Sequence, residues 1–516
     1  MTELTHPLAT VPRGELLSRA EADPLRPRFH FVSPAGWLND PNGVSQWNGT
    51  YHLFYQYNPE GAFHHRIKWG HATSTDLVTW TDQPVALEPS DGPDADGCWS
   101  GVLVNDAGTP TLVYSGRLDG RELPCVAVGS PDLSSWTKDP GNPVIAAPPL
   151  GVEITAYRDH CVWREGSKWR QLVGSGIRHR GGTAFLYESS DLRSWDYIGP
   201  LLIGDASQGD PSDTDWTGTM WECVDLFRAG AGSLGSAPAE DSPDVLVFSA
   251  WDDGETRHPL YWTGRYAGDT FEPEALHSLD YGGRFFYAPQ SFEDESGRRV
   301  MFGWMQEGRS DAAMVEAGWS GVMSLPRLTT LANDGTLEFA PVPEIDKLRR
   351  NHVSVPAQAL ESVGQTVNTG VSGNQLDLEL EVHLAAGSEV RLGVLASTDG
   401  AEETAIVLSR AADGTPTGTL RLDRTRSSLN PGVDVEDKSG PVPMPDGRVR
   451  LRVLVDRSAV EIFANGKPLT ARLYPTLGGE RVTLGATAGS VRLLSFDAWT
   501  MAGVLEESRS LLPKRK

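Results

Sequence analysis

The feature that most constrains this chain is a heptapeptide that recurs three times in order. Ser74-Thr75-Asp76-Leu77-Val78-Thr79-Trp80, Ser130-Pro131-Asp132-Leu133-Ser134-Ser135-Trp136 and Ser189-Ser190-Asp191-Leu192-Arg193-Ser194-Trp195 share the form Ser-x-Asp-Leu-x-x-Trp, at spacings of 56 and 59 residues. Each copy follows a β-like run (70–73, 126–129, 184–188) and precedes another short one. A Ser/Asp turn with Leu and Trp packed beneath it, repeated once per unit, predicts a β-propeller, in which radial repetition protects the strand edges.

Composition agrees with an all-β fold. The 516 residues include 55 Gly, 36 Pro and 16 Trp, and many short apolar runs are punctuated by turns. This length predicts more than one domain. The formal net charge of −24 argues against a nucleic-acid partner. No run is long and apolar enough to predict a membrane span, and the acidic stretch Met1 to Pro24 lacks the apolar core of a signal peptide. Cys98, Cys125, Cys161 and Cys223 are scattered without metal-ligand spacing, so reduced thiols, a cytoplasmic location and no metal or other cofactor are expected. The repeat fades after Pro326-Arg327-Leu328, and 342–350 is helix-like. From about Ser354 Trp almost vanishes, and 376–382 and 449–455 alternate with the period of two of half-buried antiparallel strands. The segment 460–466 runs from a strand into a hairpin turn, which together predicts a β-sandwich. The expected organisation is an N-terminal extension (1–25), the propeller (26–335), a linker (336–353), the sandwich (354–504) and a tail (505–516).

Several acids stand in unusual company. Asp40 lies within Trp37-Leu38-Asn39-Asp40-Pro41-Asn42-Gly43, whose Asn, Pro and Gly dictate a tight, irregular backbone, and an aromatic strand containing Gln56 follows. An acid held beside Trp and Gln suits a sugar pocket, because rings stack on aromatics and hydroxyls bind carboxylates and amides. Arg158-Asp159 sets a cation beside an acid, which predicts an ionised Asp159. Glu222, between Trp221 and Cys223 in an apolar run, is expected to be desolvated and to have a raised pKa. One protonated and one charged acid is the division of labour in glycoside hydrolysis.

These motifs resemble glycoside hydrolase family 32, the invertases and fructan hydrolases. Beside the Asp40 motif the matching residues are Trp69-Gly70-His71-Ala72 with Asp76-Leu77 and Trp80, Trp99-Ser100-Gly101, Arg158-Asp159 and Glu222-Cys223. Further matches are 287–291, Gly303-Trp304, 318–321, 325–327 and, in the second domain, 456–463. The resemblance implies a five-bladed β-propeller followed by a C-terminal β-sandwich, and a retaining mechanism. Within it, Asp40 would be the nucleophile, Glu222 the acid/base and Asp159 the transition-state stabiliser, with Asn39, Gln56, Trp69, Trp99, Ser100, Arg158 and Trp304 lining the fructosyl pocket. The expected substrate is a small carbohydrate, sucrose or a short fructo-oligosaccharide. Sucrose 6-phosphate hydrolysis, fructosyl transfer and a catalytically inactive fructan-binding protein are the alternatives. Two departures stand out. His160 replaces the proline that commonly follows Arg-Asp, which frees a backbone N–H. The segment Phe63-His64-His65-Arg66-Ile67-Lys68 is more basic than usual, which suits a phosphate.

Overall fold

The computed structural model describes residues 12–230, 242–360, 364 and 366–504. The expected tail, 505–516, lies outside the described residues, as do the first 11 residues of the N-terminal extension. Among the described residues five consecutive sheets, antiparallel apart from one short parallel pair, form the blades of a propeller, and two larger sheets form a sandwich behind it. The innermost strands of the blades are Gly36–Trp47, Gly97–Asp106, Ile154–Glu165, Met220–Arg228 and Tyr287–Glu293, and they touch one another in a ring around the axis.

The heptapeptide repeat is the turn joining the third and fourth strands of blades one to three. Its chemistry is local. The Asp76 carboxylate accepts the Val78 and Thr79 N–H groups at 3.1 and 2.8 Å, and the Trp80 indole N–H donates to the Leu77 carbonyl at 3.2 Å. Asp191 and Trp195 repeat the arrangement in blade three. The leucine of each copy has a left-handed backbone (φ 62°, 56° and 63°) and a fully buried side chain. Burying a leucine is worth about 1.5–3 kcal/mol, which outweighs a left-handed cost of about 1–2 kcal/mol. Blades four and five make the same connection without the motif.

The propeller core lies between neighbouring blades. Phe54 and Trp69 of blade one pack on Leu112 and Tyr114 of blade two, and Leu172 and Leu186 of blade three pack on Trp221 and Phe248 of blade four. Central strands covered on both faces, such as Thr50–Asn58, are therefore buried along nearly their whole length instead of at alternate residues. The ring closes through the segment 319–323. Trp319 and Ser320 pair in parallel with Gly36 and Trp37 of blade one, while Val322 and Met323 pair with Trp304 and Met305 of blade five. Gly321, at φ 80°, makes the crossing possible, because a Cβ there would lie 1.9 Å from the Leu38 carbonyl oxygen. The N-terminal helix Arg13–Ala22 covers this closure with Leu16 and Ala20.

Of the stretch 336–353 expected as a linker, Leu337–Pro341 pairs within blade five and Arg349–Val355 enters a sandwich sheet. Only a short 3₁₀ turn, Pro343–Leu348, stands between them. The sandwich sheets have alternating strands, with Leu376, Leu378, Leu380, Val382 and Leu384 all in the core. A buried ionic cluster joins the two domains. Asp456 accepts the backbone N–H groups of Arg28, Phe29 and His30, and His30 bridges Asp456 and Glu461 at 3.0 and 3.2 Å. Arg327 reaches Glu461 at 2.5 Å and Asp280 at 2.7 Å. The motifs at 325–327 and 456–463 are thus a clasp between domains.

Candidate active site

Every innermost strand carries a β-bulge near its start. The pairing register slips at Asn39–Asp40, at Ser100, at Asp159, at Cys223–Val224 and at Ala288–Pro289. A bulge re-aims the side chains around the extra residue. Five bulges at one end of the ring gather polar groups that strict alternation would send to opposite faces. Asp159, Cys223 and Ala288 have left-handed backbones there (φ 66°, 47° and 50°), a cost borne at functional positions.

The half-buried Asp40 carboxylate receives the Asn39 amide (3.1 Å), the Gln56 amide (3.0 Å) and the Ser100 hydroxyl (2.5 Å). Gln56 also donates to Ser100, and the Trp37 indole fixes Asn39 at 2.7 Å. Burial raises the Asp40 pKa to about 6 against the lowering effect of the Ser100 bond, with the Glu222 charge adding to the rise. The Cys223 thiol stands between two acids, 3.7 Å from Asp40 and 3.5 Å from Asp159. Its backbone N–H donates to Asp159 at 3.0 Å.

Arg158 does not pair with its neighbour in sequence. The bulge turns the guanidinium to Glu222, at 2.6 and 3.0 Å, and the Tyr287 hydroxyl donates to the other oxygen of Glu222 at 2.7 Å. The expected division of labour from local neighbours is corrected accordingly. Asp159, like Asp40, is an acid whose pKa rises, here to about 7, through burial and the charge of Glu222, with Arg158 opposing. Glu222 is held by a cation and a phenol rather than isolated among its apolar neighbours.

Asp40, Asp159, Glu222, Asn39, Gln56, Ser100, Trp99 and Arg158 thus share one end of the axis. Trp69 and Trp304 stand behind it. Trp69 is fully buried and supports Trp99 by donating its indole N–H to the Trp99 carbonyl at 3.1 Å, and Trp304 packs against Trp37 with ring centres 5.8 Å apart. Beyond Glu222 and Arg158 opens a cavity of about 400 Å³, into which His64, Trp99, Arg117, Glu122 and Trp251 project. Arg117 lies 4.4 Å from the Trp99 ring centre and pairs with Glu122 at 2.5 Å. Tyr287, Arg117, Glu122 and Trp251 were not singled out as site residues from sequence. Tyr287 stands in one of the motifs above, whereas Arg117 and Glu122 flank the Asp119-Gly120 hairpin and Trp251 precedes Asp253-Gly254, so in sequence they read as ordinary strand ends beside a turn. Of the basic segment only His64 enters the cavity. His65 and Arg66 are exposed and Lys68 pairs with Glu88 at 3.3 Å.

The profile described as "Glycosyl hydrolases family 32 N-terminal domain" matches residues 30–341, and "Glycosyl hydrolases family 32 C terminal" matches 344–500. The chain belongs to glycoside hydrolase family 32. It is 33% identical to the fructan 6-exohydrolase of Beta vulgaris, over 93% of this chain and 87% of the relative. It is 32% identical to the sucrose-6-phosphate hydrolase of Zymomonas mobilis, over 92% of each. The structure of fructan 1-exohydrolase IIa from Cichorium intybus superposes with a TM-score of 0.84 at 28% identity, covering 93% of this chain and 98% of that one. The family 32 enzyme described here is therefore a glycosidase with a propeller carrying the site and a sandwich behind it.

Proposed function

We propose that this enzyme is a retaining β-fructofuranosidase in which Asp40 is the nucleophile, Glu222 the acid/base and Asp159 the stabiliser of the transition state. The observation that carries the assignment is the convergence of three acids from three blades, with the Cys223 thiol reaching both Asp40 and Asp159. Asp40 attacks the anomeric carbon while the glycosidic C–O bond breaks and Glu222 gives its proton to the leaving oxygen. Water then attacks the same carbon, Glu222 takes its proton, and the bond to Asp40 breaks. Asp159 accepts hydroxyl hydrogen bonds that strengthen as oxocarbenium character develops. Arg158 and Tyr287 orient the Glu222 carboxyl.

The leaving group is read as an uncharged sugar unit, as in sucrose or a short fructo-oligosaccharide. The cavity beyond Glu222 is small, and both arginines in it are already paired, Arg117 with Glu122 and Arg158 with Glu222. The basic segment does not converge on it. A phosphate would have to break one of these ion pairs. The four free thiols accompany a cytoplasmic setting in this reading. Initial rates on sucrose, sucrose 6-phosphate, kestose, inulin and levan test the proposal. Sucrose and kestose should exceed sucrose 6-phosphate in kcat/KM by about 10-fold or more, the scale of one lost charged contact. A preference for the phosphorylated sugar overturns the substrate reading, accumulation of kestose from sucrose favours transfer, and no turnover on any sugar overturns the enzyme reading.

A further inference from the structure

Asp159 is suspended between two blades that are not its own. On one side its carboxylate accepts the Cys223 N–H of blade four at 3.0 Å. On the other, its backbone N–H donates to the Ser115 hydroxyl oxygen, also at 3.0 Å, and Ser115 belongs to the second strand of blade two, Thr109–Leu118. The contact answers a specific need. Asp159 is the extra residue of its bulge, with Arg158 and His160 paired to Gly174 and Val173 on either side, so the ladder offers its N–H no partner. Its left-handed backbone, φ 66°, is one that aspartate tolerates better than most residues but still at a cost that its surroundings must offset.

Ser115 is itself held. Its oxygen lies 3.0 Å from Nε2 of His160, and both residues are buried, at 0% and 3% exposure. With the Asp159 N–H on one serine lone pair, the hydroxyl bonds Nε2 as donor or as acceptor according to the tautomer of His160, and in either case the ring holds the serine in place. His160 immediately follows Asp159 in sequence, and its ring returns through blade two to the backbone of the residue before it. This closes a small loop around the peptide that joins them. A proline at 160, the residue the family resemblance leads one to expect, has no side-chain group to hold Ser115. The ring touches neither Asp40 nor Glu222, so it is placed to fix geometry rather than to exchange a proton with substrate.

We infer that His160 is a positioning residue of the fructosyl-transfer steps: through Ser115 it locks the left-handed backbone of Asp159 and so aims the carboxylate at the sugar. The inference rests on the reading of Asp159 as transition-state stabiliser. A carboxylate that matters most in the transition state loses rate, more than affinity, when its aim is loosened.

The test compares His160→Ala, Ser115→Ala, the double variant, Ser115→Thr and Asp159→Asn in the full-length protein with sucrose, with thermal unfolding alongside. His160→Ala and Ser115→Ala should each lower kcat about 10- to 100-fold with KM within about 2-fold of wild type. The double variant should be no slower than the slower single, because both act through one hydrogen-bonded path. Ser115→Thr, which keeps the hydroxyl, should recover most of the rate. If His160→Ala does not fold, Ser115→Ala, which removes one oxygen atom, decides the matter. Folded single variants with wild-type kcat, or losses confined to KM, or losses that multiply in the double variant would overturn the inference. A wild-type kcat in Asp159→Asn would instead overturn the role of Asp159, and is distinguishable because it leaves Ser115 and His160 in place.

Discussion

At the scale of single residues, the pKa of Asp159 ties function to stability. Its carboxyl is raised in the folded protein to about 7, from an ordinary 3.8. A raised folded-state value means that the proton is held more tightly in the folded chain. The resulting stability is fully present below the ordinary value and is lost as pH rises through about 7. At pH 8 the ionised group is therefore a burden on the fold. Asp159→Asn should lower kcat about 10²-fold or more on the proposed role, yet raise Tm at pH 8 by about 2 °C, an advantage that fades towards pH 4. A Tm gain as large at pH 4 as at pH 8 would contradict the sign of the linkage. Asp40, Glu222 and Arg158 were all legible in sequence, because a charged residue among Trp, Gly and Pro or in an apolar run is conspicuous. The partner of Arg158 was not, since the bulge at Asp159 turns adjacent side chains to different neighbours, and neighbourhood in sequence misleads there.

At the scale of elements, the repeated turn was legible and the bulges were not. The turn has side chains with fixed offsets, Ser, Asp, Leu and Trp, each tied to a hydrogen bond or a burial. A bulge is one additional residue in a strand, with no composition of its own. It nonetheless positions every acid of the site. Blades four and five lack the heptapeptide, so the repeat alone could not count the blades. The buried left-handed leucines give a prediction in which two effects oppose. Leu192→Gly relieves a backbone cost of about 1–2 kcal/mol but removes a fully buried side chain, for which cavity formation takes the loss to about 3–5 kcal/mol. The net is a destabilisation of about 1–4 kcal/mol, to be read as a lower Tm with unchanged KM. A higher Tm would show that backbone strain dominates these turns.

At the scale of the whole molecule, the clasp joining propeller and sandwich is buried and charged. Burial opposes protonation of His30, but hydrogen bonds to Asp456 and Glu461 outweigh it and raise its pKa, while Glu461 is kept below the usual carboxylate range against its own burial, chiefly by Arg327. The His30 contribution is thus present below the ordinary imidazole value of 6.5 and is lost as pH rises through its raised value. Removing Glu461 leaves His30 and Arg327 each short of one partner in the buried interior, with Asp456 and Asp280 as the remaining acids to hold them. Glu461→Ala should destabilise by about 3–5 kcal/mol and lower Tm, with the deficit larger at pH 5.5 than at pH 8.5. An unchanged Tm would mean that the domains are held by apolar contact alone. The two-domain plan was legible from the disappearance of Trp and the onset of alternation. The clasp was not, because its motifs lie about 130 residues apart, as Arg327 and Glu461 do.

The central claim is that a fructosyl unit becomes bonded to Asp40. The most direct measurement uses Glu222→Gln with a fructosyl donor whose leaving group needs no protonation. The first step then proceeds without an acid, and the second is slow without a base, so the intermediate accumulates. Rapid quenching, proteolysis and mass spectrometry should find one fructosyl residue on the peptide containing Asp40 and none on that containing Asp159. A label on Asp159, or a burst of leaving group with no labelled peptide, would contradict the account.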